Sequence, residues 1–208
     1  MRLRATLRRW AFPALAGVGA VALGLGAAEL AAALVAPTAS PVFVVGSLLI
    51  DLAPPWAKET AIALFGTGDK AALLTGIGLA LLVISAAAGV LQWRRPPVGR
   101  LVIAAGALFG IGAAVTRSGS AILDAVPSAV AAIVAVVALG MLIARIPRPV
   151  PAGSDAAPGR PGDPTRRTFL TWTGGAAALG ALSAIGGTLL QAGARAATAI
   201  RDAFVLPT

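Results

Sequence analysis

The sequence predicts an all-α membrane protein: a four-helix transmembrane bundle, then a fifth helix set apart by a polar linker. Three observations carry this. First, 58% of the 208 residues are hydrophobic and only 12% are charged, whereas a soluble domain is about 25% charged. Second, the apolar residues fall into five runs near the roughly 20 residues that a bilayer-crossing helix needs. Third, the basic residues cluster between those runs, where topology signals belong. An open sheet cannot span lipid, and no run shows the alternating pattern of a barrel strand.

The expected spans are about Trp10 to Val35, Ala71 to Trp93, Leu101 to Thr116, Ala125 to Ala144 and Phe169 to Leu190. The third is short, so its ends should be drawn into the interface. The fifth is the least hydrophobic, rich in Gly, Ala and Thr. Aromatics make up 5% of the chain and Tyr is absent, so Ala and Gly must do most of the packing, which favours close helix approach. Ala16, Ala20, Gly24, Ala28 and Ala32 form a four-residue stripe in the first span. Gly106, Gly110 and Ala114 form another in the third. Packing within the bundle is the plain expectation for both; dimerisation is the alternative.

Orientation follows from Lys and Arg. Arg2, Arg4, Arg8, Arg9, Arg94, Arg95, Arg100, Arg145, Arg148, Arg160, Arg166 and Arg167 fall on one side of an alternating five-span topology. The loops opposite hold Lys58, Lys70 and Arg117, with Arg195 and Arg201 after the last span. The positive-inside rule then expects the N-terminus in the cytoplasm and the C-terminus outside the plasma membrane. With charge placed this way, the net charge of +9 is a topology signal rather than a nucleic-acid surface.

The domain plan is a bundle over residues 1–146, a linker over 147–167, the fifth helix over 168–194 and an external stub over 195–208. The linker, rich in Pro, Gly, Asp and Arg, has little to bury and should be flexible and cytoplasmic. The outer connection, 36–70, contains an apolar run from Pro41 to Leu52, too short to span. A second piece from Pro55 to Phe65 reads as a short helix with Trp56 at the interface. Interfacial helices capping the bundle are the plain expectation; a docking platform for an external domain is the sharper one.

The strongest motif is Thr165-Arg166-Arg167-Thr168-Phe169-Leu170, ahead of the weakest apolar run. Paired arginines alone could be a positive-inside anchor. The hydroxyl residue before them, the Phe-Leu at its offset and the Gly/Ala-rich core together resemble a twin-arginine export signal. That makes Arg166, Arg167, Phe169 and Leu170 the candidate signal residues and the twin-arginine translocase the expected partner. Weak hydrophobicity would let the segment escape ordinary insertion. Small residues at Ala194 and Ala196 are a weak candidate signal-peptidase site.

Glu29 is the one carboxylate expected inside a span. Intramembrane ionisable groups are costly and often functional. No cation faces it from a neighbouring span, so hydrogen bonding between helices or snorkelling stands beside a functional role. Gly24-Leu25-Gly26 follows no strand and is not a phosphate loop.

The absence of Cys and His removes disulfides, thiolate nucleophiles, the common zinc sites and His-ligated haem. Met1 and Met141 have no matching soft ligand. Asp51, Glu59 and Asp69 share the outer connection, but their spacing fits no calcium loop. Catalytic, cofactor-binding and metal residues are therefore expected to be none in this chain.

Four helices followed by a twin-arginine fifth resemble the membrane portion of actinobacterial sulfite-oxidase-like molybdopterin oxidoreductases. So do Ala27-Ala28-Glu29-Leu30, Ser40-Pro41-Val42, Gly46-Ser47, Ile50-Asp51-Leu52, Lys58-Glu59 and Phe65-Gly66-Thr67-Gly68-Asp69-Lys70. The resemblance implies an external molybdopterin domain beginning where this chain ends, at Thr208, or a separate redox subunit. No Cys here could ligate molybdenum, so the family's catalysis transfers to no residue of this chain. Actinobacterial Rieske proteins share the export logic but resemble the chain less. The expected function is a membrane anchor and export-targeting module; the alternative is a stand-alone small membrane protein, a transporter subunit or an assembly factor.

Overall fold

The computed structural model describes residues 2–36, 39–52, 54–56, 59, 69–116, 120–146 and 166–203. These form α1 (Arg2–Val35), α2 (Pro41–Leu52), α3 (Asp69–Arg94), α4 (Val98–Val115), α5 (Val126–Ala144) and α6 (Arg166–Ala203). A 3₁₀ turn, Ile122–Ala125, leads into α5. No strand occurs among the described residues. The stretches α1, α3, α4, turn-plus-α5 and α6 are each long and apolar enough to cross a membrane. With only 12 residues, α2 rises about 18 Å and falls short of a roughly 30 Å hydrocarbon core.

Each expected span is a helix, but several ends move. α4 begins at Val98 rather than Leu101 because the side-chain oxygen of buried Gln92 accepts the Arg100 backbone N–H at 3.0 Å. That meets one of the amide groups a helix start leaves open. Asp124 likewise accepts the Ala121 N–H at 2.9 Å, placing a negative charge near the start of α5. α6 begins at Arg166, so both arginines assigned to the linker are helical. It runs past Leu190 through most of the expected stub. After Gly193 no Gly or Pro intervenes before Pro207, and Ala and Arg favour helix. Residues 147–165, and most of the expected Pro55–Phe65 helix, lie outside the described residues.

α1 is the central helix, packed against α3, α5 and α6. Small residues make this possible. Ala16, Ala20, Ala28 and Ala32 are wholly buried, and Gly24 is buried between them. A β-carbon on Gly24 would lie 2.6 Å from the Ala131 carbonyl of α5. One on Gly17 would run into the Ser85 carbonyl of α3, and one on Gly26 into that of Gly180 on α6. The first stripe is therefore used inside the bundle. The second is split: Gly110 and Ala114 are buried, while Gly106 faces open space.

A core of Ala16, Ala20, Ala138, Leu139, Leu142, Ile146 and Phe169 closes the end of the bundle that carries the arginines. At the other end, Val44 of α2 packs with Ala113 and Ala114 of α4; the second helix of the expected capping pair falls mostly outside the described residues. Outward positions such as Leu79, Val83, Leu108, Ile133, Leu182 and Leu189 are apolar and exposed. Such a surface is compatible with a lipid bilayer as its solvent.

Candidate functional site

Two clusters bring together the residues singled out in the sequence. The first centres on Glu29, which is 5% exposed. After α1 ends, a short turn (Ala36 N–H to Ala32, 3.0 Å; Ala39 N–H to Ala36, 2.9 Å) folds the chain back. This returns Ser40 to Glu29, where its hydroxyl donates to Oε1 at 2.5 Å. From the opposite side, the Gln191 amide of α6 donates to Oε2 at 3.3 Å. Ser40 and Gln191 are both buried. Gly187, one turn before Gln191, makes the approach possible: a β-carbon there would sit 2.7 Å from the Glu29 backbone.

Both carboxylate oxygens of Glu29 therefore have donors, which removes most of the cost of an unpaired polar group in an apolar setting. Neither donor is a cation or a second acid. The cluster suits a three-way tie between α1, the α1–α2 turn and α6. Sequence reading named Glu29 and missed its partners. A Gln in an otherwise weakly polar span, with Gly four residues before it, was the available signal.

The second cluster is the Arg166–Leu170 segment, which the helix splits across two faces. Residues three apart share a face, so Arg166 lies on the side of buried Phe169 while its own side chain is exposed, and Arg167 lies with exposed Leu170. Phe169 is wholly buried. Its ring meets Phe12 edge-on at 5.2 Å, with an 84° angle between planes. The Arg166 guanidinium lies 5.9 Å from the Phe12 ring, near the outer limit of a cation–π contact. Arg166 and Arg167 are both exposed. Phe169 thus has a packing reason for its identity, independent of any export receptor.

The same end carries two closer pairs. Arg94 covers Trp10 at 4.0 Å, and Arg145 covers Trp172 at 4.2 Å. Tryptophans and arginines at one level are what a membrane–water interface collects. Among the described residues no three His, Cys, Asp or Glu side chains group as metal ligands, and Glu59 is exposed. Between α1, α3, α4 and α5 lies an apolar cavity of about 150 Å³ bordered by Ser85 and Ser128. Ser85 donates to the Leu82 carbonyl at 3.0 Å. This cavity was not legible in the residue pattern.

The fold and these clusters define an all-α, multi-pass membrane protein. Comparison with protein-family models, with characterised proteins and with solved structures finds no match to the chain.

Proposed function

We propose that this chain is the membrane anchor and export signal of an extracytoplasmic oxidoreductase, with α6 as a twin-arginine signal-anchor that stays in the bundle. The observation that carries the reading is Arg166-Arg167 opening the span of lowest mean hydropathy, with both side chains exposed. A receptor can reach the pair, while the weakly apolar helix behind it is poorly suited to ordinary insertion. The charge asymmetry supports a cytoplasmic N-terminus and an outer C-terminus in the plasma membrane.

Retention of α6 has its own support. Gly26 and Gly180 bring the two backbones together, Gly187 admits Glu29, and Phe169 fills the core. The Ala194 and Ala196 positions lie within the helix. The domain beyond Thr208 would be molybdopterin-dependent and sulfite-oxidase-like, a proposal that rests on the sequence resemblance alone. This chain has no Cys or His, so its donor set does not fit the metal of such a cofactor, and it would contribute anchoring and not chemistry. A folded reporter placed after Thr208, with and without Arg166→Lys and Arg167→Lys, tests the reading.

One observation favours a second reading. Because Phe169 is used in packing, the Arg pair could act only as a positive-inside anchor for a stand-alone five-span protein, such as a transporter subunit or an assembly factor. In that case a double lysine replacement, which preserves charge, changes nothing.

A further inference from the structure

α5 and α6 both lie against α1 but barely meet along most of their length, leaving a groove of about 580 Å³ between them. Leu23, Ala138 and Leu142 line its floor. On the α5 side Ile133, Val137 and Met141 recur every four residues, and the next step of that stripe is Arg145. On the α6 side the wall holds Gly175 and Leu179 and ends at Trp172. From Ile133 to Arg145 the stripe rises roughly 18 Å, close to one leaflet of a roughly 30 Å hydrocarbon core. The volume falls within the range of about 300–1,000 Å³ typical of ligand pockets.

We propose that this groove binds one anionic phospholipid, with an acyl chain along the Ile133–Val137–Met141 stripe and the phosphate on Arg145. Charge complementarity selects this occupant: the groove is apolar along its length and ends, among the described residues, in the Arg145 guanidinium at the end of its span. Trp172 covers one face of that guanidinium at 4.2 Å. The Arg145 Nη1 leans on the Met141 carbonyl at 3.4 Å, a long contact. A guanidinium has five N–H donors in its plane, so with respect to the described residues an edge is left for phosphate. Basic pockets between transmembrane helices are recognised lipid-headgroup sites. A bound lipid would fill the gap between α5 and α6 and hold α6 against the bundle. The inference goes beyond the export reading and stands whether or not the arginine pair is a signal.

The test uses the full chain in detergent, titrated with dioleoylphosphatidylglycerol or dioleoylphosphatidylcholine and read by native mass spectrometry. Wild type should retain the anionic lipid with about a fivefold preference, the factor equivalent to roughly 1 kcal/mol per basic residue near a charged surface. Arg145→Gln should bring the preference close to one. Gly175→Leu enters open space, so it should fill the groove, keep the fold and lower binding of both lipids, which decides the matter if Arg145→Gln does not fold. Equal retention of the two lipids by wild type, an unchanged preference in Arg145→Gln, or full binding by Gly175→Leu would overturn the proposal. A photo-crosslinker at Val137 should capture phospholipid in cell membranes. Capture of a second copy, or of another protein's helix, would also overturn it.

Discussion

The Gln191 amide donates to the Glu29 carboxylate at 3.3 Å, linking the last helix to the first across 162 residues of chain. The contact forms only where Gly187 lets the two backbones close. α6 is therefore held by polar pairing as well as by packing, an arrangement that suits a helix meant to remain in the membrane.

Glu29→Ala should destabilise the bundle by about 1 kcal/mol, and at most about 3, because it strands two buried donors. Polar pairs inside membranes average about 0.6 kcal/mol and reach about 1.7 in double-mutant cycles, which sets the coupling expected between Glu29→Ala and Gln191→Ala. Unfolding in mixed micelles measures both. A coupling near zero would mean that Gln191 does not hold the carboxylate.

Gly180→Leu should cost more than the loss of Glu29, since its first side-chain atom runs into the Ala22 carbonyl of α1. Overpacking of this kind costs about 1–3 kcal/mol or more. Gly174→Leu, at a position facing open space, should leave stability unchanged within about 0.5 kcal/mol. The same unfolding measurement compares the pair. Equal effects would show that α6 does not pack on α1 through Gly180.

Phe169→Ala should lower bundle stability by about 3–5 kcal/mol, as expected for an aromatic removed from a packed core. Leu170→Ala, at a residue 41% exposed, should cost little. A thermal melt of the two variants in one detergent separates packing from signalling at this motif. If the two melts coincide, Phe169 is not a core residue.

Cysteines placed at Asp155 and at Glu59 read the topology. An impermeant maleimide applied to intact cells should label position 59 and spare position 155. Labelling at position 155 would reverse the orientation inferred from the arginines.

The five spans could be read from the sequence because lipid as solvent leaves a 20-residue apolar run few choices besides helix. The stripe from Ala16 to Ala32 could be read for the same reason: only small residues let backbones touch without water to drive them together. Helix ends were harder, since they depend on local acceptors such as Gln92 for α4 that periodicity does not register. Glu29 was visible as an anomaly, but Ser40 and Gln191 were not visible as its partners, because their meeting depends on a turn and on the crossing of α1 with α6. At Phe169 the sequence pattern suggested export, and the fold adds a second demand on the same ring.

In the proposed reading, Arg166 and Arg167 are recognised by an export receptor and do more than anchor a helix. A fluorescent reporter that fails to fold when it crosses a membrane as an unfolded chain, fused after Thr208, tests this most directly, because it is fluorescent outside only if it crosses already folded. Wild type should show external fluorescence. Arg166→Lys with Arg167→Lys should abolish it while leaving the first four spans inserted, since Lys keeps the charge but lacks the planar guanidinium. Undiminished external fluorescence in the double variant would rule out recognition of the pair and leave the arginines as an anchor alone.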